Sequence, residues 1–190
     1  MSTENDQLKE KVTAYKKVLE NTAVFRKAWA ENIKPLLVDG LNSFLNESSL
    51  KGTVESSAEI ENLESVVLDL GRSSSGITQK LQDAGVRNFM IKHNGSLTYQ
   101  QLFNGKIMVI VQSPFIEGYS EPKQPAILEI ITPAELNRAV ITRHLDSLLT
   151  ILTEWEDFDD ESPSRKKAFN PIGFQHTLLP SSGSGENDKT

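Results

Sequence analysis

The sequence predicts an α+β fold: an antiparallel β-meander sheet of 4–5 strands, a long C-terminal helix packed on it, and a helical N-terminal arm. Three observations predict it. Apolar residues recur at helical spacing near the start and again over 133–158. Between these stretches lie β-branched, apolar runs of strand length. Two Asn-Gly dipeptides, Asn94-Gly95 and Asn104-Gly105, bracket one such run, and Asn-Gly suits the two-residue turn that matches strand twist.

The first helix is expected over 5–33. Leu8, Val12, Tyr15, Leu19, Thr22, Trp29 and Ile33 recur at steps of three and four, and only the step at Arg26 is charged. Val18 and Phe25 widen the stripe, which is close to a heptad for about four repeats. Pro35 lacks a backbone donor and disfavours helix at Lys34, so a break or kink is expected there. A second helix then starts with Pro35 in its first turn and carries Leu36, Leu37, Leu41, Phe44 and Leu45 to about 46–49. Gly40 weakens it by about 1 kcal/mol relative to Ala.

Residues 51–62 are polar and acidic and predict a linker, while 63–70 predict a strand. GRSSSG at 71–76 predicts a flexible loop, and 77–84 a short helix with Ile77, Leu81 and Ala84 on one side and Gly85 at its end. The Asn-Gly turns then predict a meander of 87–93, 96–103 and 106–113. Counting from tight turns sets Ile91 opposite Thr98 and Thr98 opposite Val111. One face would hold Phe89, Ile91, Thr98, Gln100, Leu102, Ile107, Val109 and Val111. The other would hold Met90, Lys92, Leu97, Tyr99, Phe103, Met108 and Ile110. Both faces are largely apolar, so the last helix can cover only one. The N-terminal helices or a second subunit must cover the other.

An irregular, proline-containing loop at 114–125 leads to a last strand at 126–132. Thr132-Pro133-Ala134-Glu135 reads as a capping box, so a helix is expected from there to about 158, with Ile141, Leu145, Leu148, Leu152 and Trp155 as its stripe. Beyond 158 the periodicity stops. The expected domains are a helical arm (1–50), an α+β core (51–158) and a flexible tail (159–190) interrupted only by AFNPIGF at 168–174.

Composition excludes several functions. Lys+Arg total 20 and Asp+Glu 26, for a net charge of −6, which argues against a nucleic-acid or acidic-membrane surface. Cysteine is absent, so disulfides, thiolate catalysis and Cys-ligated metals are impossible. No apolar run reaches membrane-spanning length and the polar start MSTENDQLKE is unlike a signal peptide, so the cytoplasm is the expected compartment.

The remaining chemistry is sparse. His93, His144 and His176 show no metal-ligand spacing. Arg72, Ser73, Ser74 and Ser75 could hold an anion, because a Ser/Gly loop after a strand offers amides, hydroxyls and a cation. The P-loop, dinucleotide and nucleophile-elbow spacings are not matched. The acidic run Glu154, Glu156, Asp157, Asp159, Asp160 and Glu161 lacks the turn glycine of a calcium loop. No catalytic set, cofactor site or metal site is predicted. Phe169, Pro171, Ile172 and Phe174 suit a short docking segment, since two Phe and an Ile around Asn-Pro could fill an apolar groove. The expectation is a non-enzymatic interaction or assembly subunit with protein partners, a homo-oligomer that binds neither nucleic acid nor membrane. The alternative is a small-ligand domain or enzyme with an anion site near 71–76.

Overall fold

The computed structural model describes residues 2–80 and 87–157. They form the predicted mixed α+β fold, with antiparallel sheets and helices at both ends. The expected tail at 159–190, the end of the expected helix at 77–84, and Phe158 lie outside the described residues.

The N-terminal helices run on without a break where a break or kink was expected, and the irregularity is a π-helical turn. Helix α1 spans Ser2–Ala28, a π-helical turn spans Trp29–Ile33, and α2 follows at Lys34–Ser48. In an α-helix the Pro35 ring would press on the carbonyl four residues back. The wider turn accommodates it, and the Lys34 N–H donates to the Trp29 carbonyl five residues back. The same turn buries Trp29 and Ile33. They continue into Leu37 and Leu41 of α2 as one buried edge of the core.

Among the described residues, eight strands lie between α2 and the last helix. The strands are β1 (Thr53–Ser57), β2 (Ser65–Asp69), β3 (Arg72–Lys80), β4 (Arg87–His93), β5 (Ser96–Gln101), β6 (Ile107–Gln112), β7 (Phe115–Ile116) and β8 (Ala126–Ile131). A five-stranded sheet runs β1-β2-β5-β6-β8, and a three-stranded one runs β3-β4-β7. Part of the expected linker is thus the edge strand β1, paired along its length with β2. The expected 71–76 loop and the start of the expected helix at 77 are strand β3.

The two sheets share one bent ribbon. Ser65 pairs with Gln100 and Asp69 with Ser96, then Arg72 pairs with His93 and Ser74 with Ile91. The Leu70 N–H donates to the Gly95 carbonyl at 3.1 Å, and the Asn94 N–H to the Gly71 carbonyl at 3.0 Å. Pairing therefore crosses the bend unbroken. Asn94-Gly95 does not reverse the chain, and β4 and β5 are not a hairpin. The positive φ of Gly95, +93°, serves a bend instead of a turn. The dipeptide reported the backbone freedom, but pairing partners decided its use.

The second Asn-Gly does join a hairpin, with a different loop. Only Gly105 of the pair has positive φ, +75°. Its N–H donates to the Leu102 carbonyl and the Leu102 N–H to the Lys106 carbonyl, both at 2.8 Å. This is the three-residue turn with a bulge, one residue longer than expected. Thr98 consequently pairs with Ile110, not Val111, and Tyr99 with Val109. A one-residue slip exchanges faces. Leu97, Tyr99 and Gln101 share a buried face with Ile107, Val109 and Val111.

All the described helices that pack on the sheet lie over this one face. The last helix, α3 (Arg138–Glu156), contributes Ile141, Leu145 and Leu148, and α2 meets it at Gly40, where a Cβ would lie 3.5 Å from Ile141 Cδ1. Helix α3 starts five residues later than expected. The Thr132–Glu135 bonds form, with the Thr132 N–H and hydroxyl each 2.7 Å from Glu135 Oε2, but they close a turn. The helix cap is Asn137, whose side chain accepts from the Val140 N–H.

Candidate interaction site

Two apolar surfaces remain without a described cover. The first is the arm. Every residue from Asp6 to Glu20 of α1 is exposed, a projection of roughly 22 Å at 1.5 Å per residue. Leu8, Val12, Tyr15 and Leu19 are 59%, 47%, 64% and 52% exposed, and they lie on one stripe. Further along that helix the chain enters the body. There Arg26 donates to the Phe103 carbonyl at 2.6 Å, and Gly105 lies against Phe25.

The second surface is the outer face of the five-stranded sheet. Register sets Val67, Thr98, Ile110 and Ile127 in one row across it and Gln100, Met108 and Ile130 in the next. A bulge in β8 places Ile127 and Ile130 on this same face despite their odd spacing, because the register shifts opposite Val109 and Ile110. Both are more than half exposed, and β8 is an edge strand. No described helix covers this face. The sequence signal was the two-sided apolar pattern. The register slip moved Thr98 and Gln100 from the expected company of Ile107, Val109 and Val111 to that of Met108 and Ile110.

The residues proposed for an anion are placed differently from a phosphate cradle. Arg72, Ser73 and Ser74 are exposed on β3, and Ser75 is half-buried. The hydroxyls serve the ribbon itself. Ser73 donates to Asn94 Oδ1 at 2.8 Å, Ser75 donates to the Met90 carbonyl at 2.6 Å, and Ser74 accepts from the Gly76 N–H. These bonds secure the strand through a bulge between Ser74 and Thr78. Phe169, Pro171, Ile172 and Phe174 lie outside the described residues, as does His176.

The other two histidines are structurally committed. His93 stacks on Phe115 with ring centroids 4.2 Å apart and bonds Glu117 at 2.6 Å. His144 is buried between Tyr99 and Glu129. Its Nδ1 lies 3.1 Å from the Tyr99 hydroxyl and its Nε2 2.6 Å from Glu129 Oε1, which also accepts from Arg143. Burial lowers the His144 pKa, and the Glu129 hydrogen bond opposes that shift. Burial raises the Tyr99 hydroxyl pKa, and the charge of Glu129 adds to it. Sequence reading placed His144 beside the apolar stripe but did not find its partners, which come from β5 and β8. At the π turn, Lys34 and the Trp29 indole donate to Glu64 at 2.6 and 3.4 Å. The Lys34 bond, against the cost of burial, holds that carboxyl below its ordinary range.

Two shallow grooves flank α3. One, of about 390 Å³, lies between α2 and α3 beside Phe44, Arg138 and Leu149. The other, of about 440 Å³, lies by Leu50, Leu70, Leu152 and Glu156. Neither contains the Tyr99–His144–Glu129 set. No protein-family model, curated protein or solved structure matches the chain. Among the described residues, no group of three or more His, Asp or Glu side chains could hold a metal ion, and no helix is long and apolar enough to cross a membrane.

Proposed function

We propose that this chain is a non-enzymatic, cytoplasmic interaction or assembly subunit that self-associates. The observation that carries this reading is the uncovered outer face of the sheet. Val67, Met108, Ile110, Ile127 and Ile130 form an apolar surface ending on the open edge strand β8. An edge strand next to exposed apolar residues is a template for pairing with another copy. The exposed stripe on α1 offers a separate contact element for another protein. The buried polar set supports the non-enzymatic part of the reading, since Tyr99 and His144 are 0% and 2% exposed and line neither of the two grooves beside α3. The cytoplasmic part rests on a chain with no cysteine to use an oxidising compartment.

Light scattering coupled to gel filtration, over a hundredfold concentration range, tests the reading. The expected result is a mass above 21.1 kDa that rises with concentration. A Met108→Lys/Ile130→Lys variant changes only the outer face and should return the chain to one copy. A mass of 21.1 kDa at every concentration for the parent chain would overturn self-association.

A further inference from the structure

We infer that the α1 arm binds an amphipathic helix of another protein whose apolar seam is bordered by acidic residues. This deepens the proposed role as an interaction subunit and rests on it, while naming the chemistry of the partner. The stripe Leu8, Val12, Tyr15 and Leu19 alternates steps of four and three. That is the narrow seam of a two-helix coiled coil, and all four residues are about half exposed or more.

In such a seam, the residues just after Leu8 and Tyr15 and just before Val12 and Leu19 border the partner helix. They are Lys9, Lys16, Lys11 and Val18. Lys9 makes a loose, fully exposed pair with Asp6 at 3.5 Å, and Lys11 and Lys16 make no ion pair among the described residues. Beyond the first turn, the arm's acidic residues Asp6, Glu10 and Glu20 lie away from these border positions. Three cations therefore face whatever covers the seam.

A second copy is a poor match to that border. Parallel pairing would set the Lys11 and Lys16 positions against each other twice and the Glu4 and Lys9 positions against each other twice, so a second copy brings no net attraction at the border. A helix with Glu or Asp at its border positions would instead satisfy all three lysines. A membrane surface is also a poor match. Interfacial helices present a wide apolar face and a cationic polar face, whereas only Val18 widens this seam within the exposed arm and Asp6, Glu10 and Glu20 lie among the polar residues behind it.

The test titrates the full chain against two labelled synthetic helices with leucine at every seam position. One carries glutamate at every border position and the other lysine, and fluorescence anisotropy reads binding. Vesicles of phosphatidylserine and phosphatidylcholine form a third arm. The glutamate probe should bind, more weakly as salt rises, and the lysine probe should bind about tenfold more weakly or worse, as three exposed charge pairs would give. Lys9→Glu/Lys11→Glu/Lys16→Glu alters only exposed side chains and should exchange the two preferences. Equal binding of both probes, binding of neither, or binding to vesicles but not to the glutamate probe would overturn the inference. If neither probe binds while the mass measurement shows an oligomer, the acidic partner fails and the assembly reading stands. If the glutamate probe binds a chain that stays monomeric, self-association fails and the acidic partner stands.

Discussion

Replacing Gly105 by alanine measures how tightly α1 is fastened to the sheet. Two costs combine at this position. Its φ is +75°, a left-handed backbone that costs an L residue about 1–2 kcal/mol. A Cβ there would also lie 2.7 Å from Phe25 Cβ and 3.0 Å from the Arg26 nitrogen. These are the backbone and first side-chain atom of a helix, so neither can swing aside, and such overpacking costs about 1–3 kcal/mol. The sum is about 2–5 kcal/mol, and at about 2 kcal/mol per molar urea the midpoint should fall by about 1–2.5 M. Gly118 is the control. Its φ is +72° but nothing lies within 4 Å of the added Cβ. Gly118→Ala should therefore show only the backbone cost, a shift of about 0.5–1 M. Equal midpoint shifts in urea melts of the two variants would refute the close seating of α1 on the 102–106 turn.

Core and arm should respond oppositely to truncation. Leu148→Ala, at a fully buried position, should cost about 2–5 kcal/mol, whereas Leu8→Ala, 59% exposed, should change folding stability by no more than about 0.5 kcal/mol. A urea melt showing similar losses for both would mean that the arm is packed. The His144 network should make stability depend on pH. The folded chain holds this imidazole's pKa below the ordinary 6.5, so the unfolded chain takes up the proton more readily. The resulting stability is complete above pH 6.5 and is lost as pH falls from there through the folded value. Denaturant midpoints between pH 8 and pH 5 check this, and His144→Gln should flatten the slope. Tyr99→Phe leaves His144 Nδ1 without its partner in the core, and thermal melts should show a loss of about 1–3 kcal/mol.

Periodicity alone determined the elements with long, one-sided patterns. Helix α1, strand β2, strand β8 and the Ile141–Leu145–Leu148 face of α3 are all where their residue patterns put them, because backbone preference and apolar spacing are local properties of helix or strand. The exposed arm residues of the candidate site were legible for the same reason. Everything that depended on pairing was decided by tertiary structure. GRSSSG has the composition of a loop, yet it is a strand because β4 lies beside it to accept its ladder. Asn94-Gly95 has the composition of a hairpin turn, yet it bends a strand whose two halves pair with different neighbours. Pro35 signals a break, yet Trp29, Ile33, Leu37 and Leu41 gain enough from a shared core to keep the helix continuous through a π turn. One extra residue in the turn before Lys106 put Leu97 and Tyr99, in place of Thr98 and Gln100, on the same face as Ile107, Val109 and Val111. A local signal specifies which backbone conformations a residue tolerates. Which of these is used depends on the hydrogen-bond and apolar partners that distant segments bring, and those exist only once the chain has folded.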